Sequence, residues 1–176
     1  VDPWTVEIQK PDGTSQRLYS TAIIIAAGAA PFVPPLPGLE EVGYLTSDTL
    51  WDKLKGREKV PKRLVVLGGG PIGTELAQAF ARLGSEVTQI QMGKRIMLRE
   101  DPEVSEMVQK SLEHDGVTVL TNHKAVGCGL TNDEKWIEVE DQGKTQRIIF
   151  DDLIVAVGRA PRLKGFGLEE LGIPLG

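Results

Sequence analysis

The stretch LVVLGGGPIGTELAQAF, Leu64 to Phe80, decides how this chain folds. Leu64–Leu67 is an apolar run that reads as a buried strand, breaking at glycines and entering a helix. Gly68, Gly70 and Gly73 fit G-x-G-x-x-G, and Ala77 is a small residue one helical turn further on. Each glycine has a physical job. Gly68 permits the tight turn, Gly70 carries no side chain to hold a pyrophosphate off the backbone, and Gly73 lets the helix pack close to the sheet. The helix N-terminus adds free N–H groups and a partial positive charge. With a second strand expected at Glu86–Gln91, the motif points to a dinucleotide site. The plainer reading is a strand–turn–helix with no ligand.

Composition bounds the alternatives. The chain has 176 residues, 40% hydrophobic and 26% charged, which suits one full core with an appendage. A net charge of −5 with no basic run argues against nucleic acid as a partner. Cys128 is the only cysteine, so no internal disulfide and no C-x-x-C pair exists. The longest apolar stretch, Ala22–Ala30, is too short to span a bilayer, and no secretion signal opens the chain. The expected compartment is the cytoplasm. The chain starts at Val1, in what reads as mid-strand, as an excised piece of a longer protein would.

Outward from the glycines, the pattern predicts an α/β fold. Trp4, Val6 and Ile8 alternate with polar residues, and with Gln16–Tyr19 they read as a β-hairpin turning at Pro11–Gly13. Thr21–Ala26 reads as a short apolar strand. Pro31–Gly38, with prolines at 31, 34, 35 and 37, must be an extended connector. Ser47 is expected to cap a short helix to about Lys55, with Leu50, Trp51 and Leu54 on its apolar face. Then come strand Arg63–Leu67, helix Ile72–Leu83, strand Glu86–Gln91, a helix capped by Asp101 and ending at Gly116, and strand Val117–Thr121. Val104, Met107, Val108 and Leu112 are expected to face inward from the second of these helices. This βαβαβ order predicts a parallel Rossmann-like sheet with helices on both faces. Ala125–Leu130, Lys135–Glu140 and Thr145–Phe150 read as an antiparallel β-meander, and Leu153–Val157 should return to the parallel sheet.

The chain now resembles a family. IIIAAGAAPFVPPLPG, then GGGPIGTELAQAFARLGSEVT, then LIVAVGRAPRLKGFGLEELGI is similar to the flavin-dependent pyridine nucleotide-disulfide oxidoreductases, which include dihydrolipoamide dehydrogenase, glutathione reductase and mercuric reductase. QAFARLGSEVT followed by REDPEVSEMVQ is most similar to mercuric-reductase-like members. The resemblance implies an NAD(P)-binding domain inserted in an FAD domain. Residues 1–43 would be the tail of the FAD-domain segment with its linker, 44–157 the NAD(P)-binding domain, and 158–176 the return toward the FAD domain. The flavin-binding glycine motif, the redox cysteine pair and the dimerisation domain of such a homodimeric parent are absent from the 176 residues. The chain would hold NAD(P)H but not turn over alone.

The resemblance also implies site roles. Gly68, Gly69, Gly70, Pro71, Ile72 and Gly73 would line the pyrophosphate. Glu75 matches a glutamate near the nicotinamide and flavin; its other reading is a first-turn carboxylate stabilised by the helix dipole. Pro71 replaces a tyrosine that gates the nicotinamide pocket in several relatives. At the end of the second strand an acid selects NAD by binding the ribose 2′-hydroxyl and repelling a 2′-phosphate. Here that position is Gln91, with Lys94 and Arg95 just beyond, either as phosphate partners or as solvated loop charges. NAD and NADP both stay open. Ala125 matches a valine near the adenine, and Gly158 a glycine near the nicotinamide ribose, although Arg162 replaces the usual asparagine after it. Ala27 and Gly28 match an A-T-G segment that touches FAD, without the threonine hydroxyl. His114, His123 and Cys128 get structural readings, and no cluster has metal-ligand spacing. Rival readings are a non-catalytic nucleotide-binding module, or a domain of an NADH oxidase or ferredoxin reductase.

Overall fold

The computed structural model describes residues 2–174. In chain order the elements are β1 (Thr5–Gln9), β2 (Ser15–Tyr19), β3 (Ala29–Pro31), α1 (Leu39–Val42), α2 (Leu50–Leu54), β4 (Arg63–Leu67), α3 (Pro71–Arg82), β5 (Glu86–Ile90), α4 (Pro102–His114), β6 (Thr118–Leu120), β7 (Lys124–Thr131), β8 (Glu134–Asp141), β9 (Lys144–Phe150), β10 (Asp152–Val155) and β11 (Arg159–Pro161). The chain divides into two compact units. One comprises the chain up to Ala30 and from Ala160 onward, the other Pro31–Arg159.

In the first unit β1 and β2 form the expected antiparallel hairpin, with Thr5 opposite Tyr19. Thr21–Ala26 is not a strand. Its isoleucines are exposed, Ile24 to 91%. Apolar character gives a segment reason to be buried, but a strand also needs neighbours for its N–H and C=O groups. Among the described residues none runs beside it. The last residues of the expected return segment, 175 and 176, lie outside the described residues.

The second unit is built on a parallel sheet of order β10-β4-β5-β6, extended beyond β10 by a bridge from Leu45 to Ile154. Its strands are buried on both faces, with residues alternating between two clusters. Leu64, Val66, Val87 and Ile154 face one side with Ala77 and Phe80 of α3 and Leu112 of α4. Val65, Leu67, Ile90, Leu153 and Val155 face the other, against Ile137 and Val139 of β8 and Phe150 of β9. The expectation of helices on both faces is therefore corrected: α3 and α4 share one face, and the antiparallel β7-β8-β9 meander, with the single turn α1, covers the other. Topology explains it. The steps β4 to β5 and β5 to β6 move in the same direction across the sheet, so right-handed crossovers put both helices on the same side. The return from β6 to β10 runs the opposite way and crosses the other face.

Two helices differ in detail from expectation. Ser47 does not cap α2. Thr49 stands at the N-cap, and the Ser47 hydroxyl instead accepts a hydrogen bond from Arg159 at 2.9 Å. Trp51 is 69% exposed, and Leu50 is the residue buried from this turn. In α4 the inward residues are Ser105, Val108 and Leu112, spaced i, i+3, i+7, while Val104 and Met107 face solvent. Ser105 is tolerated inside because its hydroxyl donates to the Ile96 carbonyl at 2.6 Å. Asp115, just past α4, accepts from Gln78 at 2.7 Å and from Arg82, tying α4 to α3. The Gln78 bond foremost, with Arg82 beside it, holds that carboxyl below the usual carboxylate range.

Cys128 lies in β7, buried in the meander-side core. Burial pushes its thiol up to about 11, which leaves about one part in a thousand as thiolate at pH 8. The folded chain is expected to resist iodoacetamide at pH 8 and to label fully in denaturant. Rapid labelling of the native protein would contradict this burial.

Candidate functional site

The glycine turn sits at the carboxyl end of the sheet, where open α/β sheets take their ligands. Gly68 leaves β4 at φ +118°, and a Cβ there would stand 2.3 Å from the Ala156 carbonyl oxygen, just beyond β10. A Cβ on Gly73 would meet the Gly68 carbonyl oxygen at 2.3 Å, so this glycine sets how closely α3 approaches the turn. Gly69 is enclosed by Ile96 and Gln91. The fold's own packing thus accounts for Gly68, Gly69 and Gly73.

Gly70 is different. Its φ of −80° and ψ of 177° are extended backbone open to any residue, and a Cβ there would meet nothing within 4 Å. Nothing in the chain requires glycine at 70. Gly70 is also the N-cap of α3, with no side-chain cap and no acid in the first turn of the helix. Pro71 follows at the first helical position and needs no N–H partner. Bare backbone, open space and an uncapped twelve-residue helix fit an approaching pyrophosphate.

The loop after β5 encloses the turn from the side. The Gly69 N–H donates to Gln91 Oε1 at 2.9 Å, and the Met97 N–H donates to the Gly69 carbonyl at 2.6 Å. Gln91 is held by its main chain as well, its N–H bonded to the Leu120 carbonyl and its carbonyl to the His123 N–H. Its fixed oxygen leaves the side-chain amide group as the donor. Arg95 is half-buried. One of its guanidinium nitrogens donates to the carbonyls of Leu98 and Glu100, so it braces the loop; Lys94 is exposed.

Beneath the turn lies a residue the pattern did not single out. Gln89 is fully buried on β5, and its Nε2 donates to the Gly68 carbonyl at 3.0 Å and to Thr74 Oγ1 at 3.2 Å. Its Oε1 has no partner, a state that costs about 1–3 kcal/mol in a buried group. The available signal was a polar residue two places after Val87, on the face where β5 is otherwise apolar.

The remaining expected residues fall as follows. Ile72 is half-buried in the first turn of α3. Glu75 is exposed on α3 and is the fifth residue of the helix, so its reading as a first-turn carboxylate is corrected. Gly158 is exposed beyond β10, its carbonyl accepting the Phe32 N–H at 2.9 Å. Ala125 lies at the start of β7, half-buried against the meander-side core, beside a bulge in the β7–β8 pairing. Ala27 and Gly28 belong to the first unit, where the Gly28 carbonyl accepts the Arg162 N–H at 3.0 Å. Among the described residues no group of three His, Cys, Asp or Glu side chains is placed to hold a metal, and no helix is long and apolar enough to cross a membrane.

A parallel sheet with a glycine turn at its carboxyl end, opening on an uncapped helix, is a nucleotide-binding α/β fold. The family model for pyridine nucleotide-disulphide oxidoreductases matches residues 2–176, and the chain belongs to that family. A mercuric reductase from Bacillus cereus is 39% identical over 172 residues, covering 98% of this chain and 26% of that protein. A dihydrolipoyl dehydrogenase from Thermus scotoductus is 40% identical over 157 residues, covering 86% of this chain and 32% of its own length. Among solved structures, the Cu(II) complex of an HOCl-induced flavoprotein disulfide reductase from Escherichia coli aligns with a TM-score of 0.77 at 27% identity. That alignment covers 98% of this chain and 37% of the reductase. The chain spans about a quarter to two fifths of the length of these relatives.

Proposed function

We propose that this chain binds NADH or NADPH as the nicotinamide-nucleotide domain of an FAD-dependent oxidoreductase. In this reading residues 44–157 form the NAD(P)-binding domain, and residues 1–43 and 158–176 belong to the FAD-domain side. The observation that carries it is Gly70, a glycine with no conformational or packing reason to be one, at the mouth of an uncapped helix. Gly68, Gly69, Gly70, Ile72 and Gly73 receive the pyrophosphate on backbone N–H groups, Pro71 presets the helix, and Gln91 meets the adenosine ribose. Glu75 and Gly158 lie toward the nicotinamide, Ala125 toward the adenine, and Ala27 and Gly28 toward FAD. The bound dinucleotide supplies a hydride, which the parent enzyme passes through FAD to a disulfide or metal-ion acceptor. The protein's share is binding and orientation. The parent is read as a cytoplasmic homodimer, by likeness to its family.

Thermal shift and calorimetry with NADH and NADPH test the reading. At least one should bind with millimolar or tighter affinity and raise the melting midpoint. A flat response to both would remove the dinucleotide assignment.

A further inference from the structure

Gln89 occupies a place where β5 wants an apolar residue. Val87, two positions earlier on the same face, packs with Phe80 and Leu112, and Gln89 is likewise wholly enclosed. A methionine or leucine would fill the same space, so volume alone does not explain the amide. Its hydrogen bonds do. Nε2 takes the Gly68 carbonyl at one end of the turn and Thr74 Oγ1 at the other. Thr74 in turn donates its N–H to the Gly70 carbonyl at 3.0 Å, while Ile90, next to Gln89 on β5, accepts the Gly68 N–H at 2.8 Å. A single buried amide therefore pins the turn at Gly68 directly and at Gly70 through Thr74.

We infer that Gln89 is a positioning residue for the dinucleotide site, holding the glycine turn in its binding shape through Gly68 and Thr74. The inference rests on the proposed dinucleotide reading. Ordering the turn before the ligand arrives removes that ordering cost from binding, so the effect of Gln89 belongs to affinity more than to stability. Every N–H aimed at the pyrophosphate depends on the same turn. The loss should therefore be equal for NADH and for ADP-ribose, which lacks the nicotinamide.

The test uses the 176-residue chain with Gln89→Met, Gln89→Leu and, as a control, Val87→Ala, a core variant on the same strand that does not touch the turn. Dissociation constants for NADH and ADP-ribose, melting midpoints and amide exchange at residues 68–74 are measured on each. Gln89→Met removes the unpaired Oε1 but takes the donor from the buried Gly68 carbonyl, so its midpoint should fall no further than that of Val87→Ala. Its affinity for both ligands should fall five- to twentyfold, with faster exchange confined to the turn. Val87→Ala should lose midpoint and keep affinity. The inference is overturned by unchanged affinity in Gln89→Met, by an equal affinity loss in Val87→Ala, or by failure of both Gln89 variants to fold, which would make the amide a requirement of the fold. A wild type that binds neither ligand removes the dinucleotide reading itself, an outcome distinct from a wild type that binds and a Gln89→Met that binds as well.

Discussion

Gly70→Asp should make the chain slightly more stable and abolish most of its affinity for NAD(P)H. The two effects have one cause. Gly70 is the N-cap of α3 and is extended, the conformation in which an aspartate accepts an N–H from the first helical turn. No neighbour obstructs a side chain there. The cap and its favourable interaction with the helix dipole together contribute a few tenths to about 1 kcal/mol, a rise of about 1–3 °C in midpoint for a domain of this size. The same carboxylate occupies the N–H groups offered to the pyrophosphate and repels its charge. A loss of at least about a hundredfold, about 2.7 kcal/mol, is expected in Kd for NADH and NADPH alike. Gly68→Ala gives the contrast. At φ +118°, with a Cβ driven to 2.3 Å from the Ala156 carbonyl oxygen, it should cost about 3 kcal/mol or more of stability. Melting curves and calorimetry on the two variants separate the glycine the ligand needs from the glycine the fold needs. A Gly70→Asp protein that binds NADH normally would move the pyrophosphate away from this helix.

How far the sequence discloses this architecture follows from which physical signals are local. Hydrophobic alternation and turn residues are local, so β4 and the β7-β8-β9 meander fall where the pattern places them. The face of α4 is not local. Val104 and Met107 look like inward residues by hydrophobicity, but Ser105 is the one buried, its hydroxyl bonded to the Ile96 carbonyl in the loop that leads into α4. Nor does a βαβαβ reading contain the strand order, and that order puts α3 and α4 on one side. Thr21–Ala26 has strand composition but, among the described residues, no strand to pair with. At the site, the spacing of Gly68, Gly70 and Gly73 is readable, but which glycines serve packing and which leaves room for a ligand requires coordinates. That Gln91 follows the second strand is readable from the pattern; that the Gly69 N–H fixes its oxygen is not. Gln89 escaped because a glutamine in a strand usually reads as a solvent-facing residue.

Gln91→Glu should move the nucleotide preference toward NADH and against NADPH. Glutamate is the same length, and one carboxylate oxygen can keep the Gly69 N–H that Gln91 Oε1 accepts at 2.9 Å. The other oxygen replaces the amide donor with an anion at the end of β5, where an acid binds a ribose hydroxyl and repels a 2′-phosphate. One guanidinium nitrogen of Arg95 is engaged by the Leu98 and Glu100 carbonyls, which holds that side chain against its own loop. Lys94 is exposed nearby and screened by salt. The Kd for NADPH is expected to rise at least about tenfold while that for NADH holds or tightens, a change of about 1.4 kcal/mol in preference. Gln91→Leu separates selection from support. It removes the acceptor of the Gly69 N–H and should weaken both nucleotides together, leaving their ratio unchanged. If Gln91→Glu instead moved the preference toward NADPH, the adenosine ribose would lie elsewhere than at the end of β5, and Gln91 would be a brace for the glycine turn and nothing more.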